Sequence, residues 1–188
     1  MSTELGSTLL KLSRAAIGSR FGGGDGAVAP ALPELAQPGA TFVTLTMRGE
    51  LRGCIGSLEA RRLLRDDVQH NALAAAFRDP RFPPLERRDF DLVRIEVSLL
   101  APPERMEAQN EDDALGQLRP GTDGLIFMRG ANRATFLPQV WESLPDPRHF
   151  MMQLKRKAGL PADFWSGDVE LARYTVTKWK EPTLIPTK

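Results

Sequence analysis

The stretch TFVTLTMRGELRGCIG, residues 41–56, decides the fold, because it reads as two alternating strands returning on a tight turn. Val43, Leu45 and Met47 recur at every second position, as one face of a strand requires, and Arg48, Gly49 and Glu50 supply the turn. In the returning strand, period two places Leu51, Gly53 and Ile55 on one face and Arg52 and Cys54 on the other. Leu51 and Ile55 are the expected core-facing pair, so Cys54 is expected to point away from the main core, beside the Arg52 guanidinium. The thiolate is the nucleophilic form of cysteine, and a neighbouring cation favours it. Gly53 and Gly56 would let the backbone bend or a ligand come close. The competing expectation is that Cys54 packs as a small hydrophobe, as free cysteines usually do.

Moving outward from the hairpin, Leu5, Leu9, Leu12 and Ala16 recur at helical spacing and stop at Gly18, which predicts an amphipathic helix. FGGGDGAVAP, residues 21–30, follows a helical pattern and lacks a Gly-Lys-Ser/Thr ending, so it reads as a flexible connector and not a phosphate cradle. RRLLRDDVQHNALAAAF, residues 61–77, is helical, with Leu64, Val68, Ala72 and Ala75 on one stripe and Leu63, His70, Ala74 and Phe77 on another. His70 therefore reads as a packing histidine. Three prolines stiffen the next segment, RDPRFPPL, and rigid loops are good places to hold ligand-binding groups such as Asp79, Arg81 and Phe82. The alternative there is a helix-stop loop in which Asp79 pairs with Arg81 and Phe82 plugs the core.

LVRIEVSLL, residues 92–100, alternates cleanly, with Val93, Ile95, Val97 and Leu99 inward, and predicts a one-sided antiparallel strand. A short acidic helix capped by Asn110 follows, then a second hairpin over residues 124–137 and a short helix opened by Pro138. Asp146 and Pro147 suit the cap and first position of another helix that Gly159 ends, and VELARYTVTKW, residues 169–179, is expected to be one last strand. This order is α+β, with mainly antiparallel sheet flanked by helices.

Composition excludes several classes. With 41% hydrophobic and 26% charged residues the chain is an ordinary globular protein, not a disordered one. It shows no apolar run of about 20 residues and no signal-peptide layout, so no membrane association and a cytoplasmic location are expected. One cysteine and two histidines supply neither an internal disulfide nor a four-ligand structural zinc site, and no cofactor fingerprint is present. The net charge of +1 hides a basic block from Arg148 to Lys180 that includes Lys155, Arg156 and Lys157. Such a block is a candidate RNA contact, although a near-neutral chain lacks the strong basic stripe typical of nucleic-acid binders.

GATFVTLTMRGELRGCIGSLEA, NALAAAFRDPRFPPLERRDFDLVRIEVSLL, GTDGLIFMRG, TFLPQVWESL and KRKAGLPADFW together resemble the successive signature blocks of the AMMECR family, over about Leu5 to Glu181. The resemblance implies one domain over 5–181, of α+β fold with a larger and a smaller subdomain. It further implies a role beside Memo-type and radical SAM proteins, as in the AmmeMemoRadiSam system. The motif cysteine carries onto Cys54, with Arg52 and Gly53 before it and Asp79, Arg81, Phe82, Pro83 and Pro84 as the second motif. Cys54, Arg52, Asp79 and Arg81 are thus the catalytic candidates, and Gly53, Gly56, Phe82, Pro83, Gln139 and Lys157 the ligand-binding ones. Neither histidine belongs to these motifs, so Arg52 or Arg81 is the expected activator. Two functions stay open: an enzyme or enzyme component using Cys54 on a small electrophilic or acyl group, and a non-catalytic module that binds RNA or a protein.

Overall fold

The computed structural model describes residues 3–23 and 31–182. The chain divides into two compact units, one formed by residues up to Leu100 together with those from Thr177 onward, the other by Ala101–Val176. Both are built from antiparallel sheet and helices, so the fold class is α+β as expected. The expected flexible connector, residues 21–30, lies outside the described residues from position 24 on. Among the described residues no helix is long and apolar enough to cross a membrane.

The first unit opens with α1 (Thr3–Ser19), whose Leu5, Leu9, Leu12 and Ile17 are buried at the expected helical spacing. Its sheet has the strand order β2 (Glu50–Gly56), β1 (Pro38–Met47), β4 (Val93–Leu100), β9 (Val176–Lys180), and a short β3 (Arg62–Leu63) pairs with the start of β1. Val43, Leu45, Val93, Ile95 and Val97 form the inward face. Against it pack α1 and α2 (Leu64–Phe77), the latter through Leu64, Val68, Ala72 and Ala75. Leu63, placed by spacing on a second helical stripe, instead belongs to β3 and is 38% exposed.

Where the sheet top meets α2, a polar network is buried and fully used. Asp67 accepts from the Thr41 amide and hydroxyl at 2.8 Å each and from the Ser57 hydroxyl at 2.7 Å. Asn71 Nδ2 donates to Asp67 Oδ2 at 3.0 Å and to the Thr41 carbonyl at 2.9 Å. Buried polar groups persist only when satisfied, and this set ties α2 to β1 and to the end of β2.

The second unit holds the sheet β5 (Glu104–Met106), β8 (Glu170–Tyr174), β6 (Gly124–Arg129), β7 (Asn132–Phe136), all antiparallel. The caps expected from sequence are present: Asn110 Oδ1 accepts from the Asp113 amide at the start of α3 (Glu111–Gln117), and Asp146 Oδ1 accepts from the His149 amide in α4 (Pro147–Lys157). Phe150, Met151 and Leu154 are fully buried. The short helix opened by Pro138 is a single 3-10 turn, Pro138–Glu142.

Two expectations are corrected here. The single last strand is two, because β8 completes the second sheet and β9 joins the first. Alternation continues across Thr175, and periodicity alone carries no sign of a change of sheet. The second correction concerns the basic triplet. Lys155 is 1% exposed, donating to Glu111 Oε1 at 2.8 Å and to the Phe164 carbonyl at 3.0 Å, so it is not available to meet a phosphate backbone. Removing only the carboxylate strands a buried ammonium, so Glu111→Ala is expected to lower stability by about 2 kcal/mol, below the usual cost for a buried pair because Glu111 is partly solvated. Lys155→Met, which removes the charge and keeps the volume, should cost less; urea titrations of both variants check the order.

Candidate functional site

The hairpin turn is two residues long, Met47 pairing with Glu50. Arg48 (φ 55°) and Gly49 (φ 87°) both take positive φ, the geometry that matches strand twist in such turns. An unbroken ladder from this turn would set Thr44 opposite Gly53. Instead the register shifts between Leu45 and Thr46: Thr46 pairs with Leu51, Leu45 with Gly53, and Thr44 with Cys54, which leaves Arg52 as the extra residue of a β-bulge. The expectation that Leu51 joins Ile55 in the core is thereby corrected. Leu51 is 44% exposed, while Ile55 packs on the first core.

The bulge also overturns the expected pairing of Arg52 with Cys54 on one face of a regular strand. The Arg52 guanidinium goes to the loop after α2, where Nη2 donates to the Pro84 carbonyl at 3.3 Å and Cζ lies 6.0 Å from the centre of the Phe82 ring. Cys54 stays partly exposed, and the Thr44 hydroxyl donates to its sulfur at 3.3 Å. Thr44 had no place among the expected site residues, since only the bulge brings it opposite the thiol.

Because β2 is an edge strand, the outward backbone groups of Cys54 need partners other than a neighbouring strand. Asp79 and Arg81 provide them. Asp79 Oδ2 accepts from the Cys54 amide at 2.8 Å, and Arg81 Nη2 donates to the Cys54 carbonyl at 3.2 Å. Arg81 is forked on the same carboxylate, Nε to Oδ1 at 2.9 Å and Nη2 to Oδ2 at 2.7 Å, and its own amide donates to Oδ1 at 3.1 Å. The pair mimics a strand edge with two side chains. The Arg81 fork, aided by the Cys54 and Arg81 amides, holds the buried Asp79 carboxyl far below the usual carboxylate range despite the opposing effect of burial. Arg81 is correspondingly raised, first by its hydrogen bonds to Asp79 and further by Coulombic attraction to Asp79 and Cys54.

The glycines of the motif have packing roles. A Cβ on Gly53 would lie 2.2 Å from the Ala75 carbonyl oxygen of α2, and one on Gly56 would lie 2.2 Å from the Phe42 ring. The space that sequence reading reserved for a ligand at these two positions is filled by protein. Phe82 is partly exposed and Pro83 exposed on the loop, with the Arg81 Cζ 5.5 Å from the Phe82 ring centre.

The AMMECR1 family model matches residues 10–179, nearly the whole described chain. The chain belongs to the AMMECR1 family. Among relatives of this AMMECR1 chain, a Methanothermobacter thermautotrophicus protein is 38% identical over 182 residues, covering 93% of each chain. A Methanopyrus kandleri protein is 34% identical over 191 residues, covering 96% of this chain and 90% of the relative. The crystal structure of an uncharacterized protein from Pyrococcus horikoshii superposes with a TM-score of 0.80 at 32% identity, covering 96% of this chain and 93% of that one.

Two further residues of the AMMECR1 motifs lie in the second unit. Gln139 is exposed in the 3-10 turn of the second unit. Lys157, also in that unit, donates to the Thr135 carbonyl at 2.9 Å and lies 5.1 Å from the centre of the Phe136 ring. His70 is half-buried, as expected of a packing histidine, with its Nε2 3.5 Å from the Arg78 guanidinium. Burial and the Arg62 and Arg78 charges lower its pKa against the opposing pull of Asp67, which keeps the imidazole neutral at neutral pH. Among the described residues no group of three or more His, Cys, Asp or Glu side chains is arranged to hold a metal.

Proposed function

We propose that the AMMECR1 chain is an enzyme or enzyme component in which Cys54 attacks a small electrophilic or acyl group. The observation that carries the reading is the division of labour at Cys54: Asp79 and Arg81 take up both outward backbone groups, while the residue stays partly exposed and its sulfur accepts from one hydroxyl. In the proposed step the thiol loses its proton to solvent, the sulfur forms a bond to the electrophilic carbon, and the leaving group departs with its bonding pair. Thr44 stabilises the charged sulfur by donating to it. Arg81 contributes less than a free cation would, since its charge is offset by Asp79. Asp79 is a positioning residue.

Alkylation by iodoacetamide at pH 7, followed by mass spectrometry, tests the reading. Native protein is expected to label faster than a free cysteine peptide, and Thr44→Val to slow labelling about fivefold, the equivalent of the roughly 1 kcal/mol of one hydrogen bond. Native labelling slower than the peptide, unchanged by Thr44→Val and accelerated only on unfolding, would leave Cys54 as a packed residue.

A further inference from the structure

We propose that β9 is a releasable strap, which opens and closes on the first sheet without global unfolding, and that the Glu181 carboxylate is its clasp. Packing separates this strand from the one it pairs with. β4 buries six of its eight residues, whereas no residue of β9 is buried. Lys178 and Lys180 are exposed, and the Lys180 ammonium reaches the Glu96 carboxylate only at 3.8 Å. The packing anchor of β9 is the half-buried Trp179, whose indole lies over Gly6 of α1, where a Cβ would be 2.1 Å from the ring. A strand with so few buried apolar contacts has a low cost of local opening once its end comes loose.

Polar contacts concentrate at that end. The Glu181 carboxylate accepts from Arg14 Nε at 3.0 Å, from Arg14 Nη2, and from the Ile95 amide at 2.9 Å. The Glu181 amide donates to the Ile95 carbonyl at 2.9 Å, and its carbonyl accepts from Arg94 Nη2 at 2.5 Å. Arg14 is fixed in turn on the Phe90 and Val93 carbonyls at 2.8 Å each. One residue past the strand therefore ties β9 to α1 and to β4, through charge-assisted bonds stronger than those of a ladder. Neighbouring residues of an antiparallel strand point their backbone groups to opposite sides, so Ile95 and Val97 face β9 while Glu96 and Ser98 face β1. Opening of β9 unpairs the first set and leaves the second intact.

Amide hydrogen exchange followed by NMR on the full chain reads this alternation along β4. The Ile95 and Val97 amides are expected to exchange together with those of β9, about 100-fold faster than the Glu96 and Ser98 amides. Low urea should accelerate the slower set and leave the faster one nearly unchanged, because opening of one strand exposes little surface. Glu181→Gln, which keeps the volume and removes the charge, should speed the faster set about tenfold, as loss of charge-assisted bonds implies. Equal rates for the two sets in the unaltered protein overturn the strap. An unchanged rate in Glu181→Gln overturns the clasp. Failure of that variant to fold overturns both, since a strap comes off without loss of the sheet beneath it.

Discussion

Replacing Asp79 by alanine is expected to lower the unfolding free energy by about 3 kcal/mol, the cost of leaving the Cys54 amide without its acceptor and losing the charge-assisted bonds to Arg81, which is half exposed and rehydrates. The side chain of Asp79 is 1% exposed and accepts from the Cys54 amide as well as from Arg81. Its loss leaves the β2 edge open at Cys54 and the Arg81 fork without a partner. Urea unfolding monitored by tryptophan fluorescence gives the change, and an effect below about 1 kcal/mol would mean that solvent replaces the carboxylate at little cost. The same carboxylate makes stability depend on pH. Its pKa is depressed in the folded state, so its contribution is complete above the unfolded value near 3.9 and is lost as pH falls below that toward the depressed folded value. The stability difference between wild type and Asp79→Asn should therefore be constant from about pH 5 to 7 and shrink on acidification below about pH 4.

Gly53→Ala is expected to cost about 3 kcal/mol, because the new methyl would lie 2.2 Å from the Ala75 carbonyl oxygen and only a backbone shift relieves the clash. Either β2 must move from α2 or the helix must give. Gly167→Ala is the control: no atom lies within 4 Å of its Cβ position, so its change should stay within about 0.5 kcal/mol. Equal unfolding midpoints for the two variants would show that β2 and α2 separate easily. Movement at Gly53 also displaces the Cys54 backbone, so this variant should alter thiol labelling as well. The glycine that looked like space for a ligand is, on this view, space for a helix.

Much of the local structure was legible because local structure depends on local chemistry. Period 3.6 in the first helix, period two from Val93 to Val97, and the oxygen-bearing caps Asn110 and Asp146 each act over one or two turns of chain, and each is found as expected. Proximity of the LRGCIG and DPRFPP segments was legible too, from the resemblance to one family. What those segments do to each other was not.

The sequence by itself determined which residues alternate, where the two side-chain-capped helices begin, and that one thiol sits in a glycine-bearing hairpin. Tertiary structure decided the rest. It placed the bulge at Arg52, next to Gly53, where the Ala75 carbonyl of α2 leaves no room for a side chain. That single shift put Thr44 opposite Cys54 and exposed Leu51, reversing a core assignment that alternation alone required. It divided VELARYTVTKW between two sheets and drew Lys155 inside onto Glu111. Periodicity records only how side chains alternate along one element. Register, burial and charge pairing depend on which other elements arrive beside it, and those lie tens of residues away in the chain.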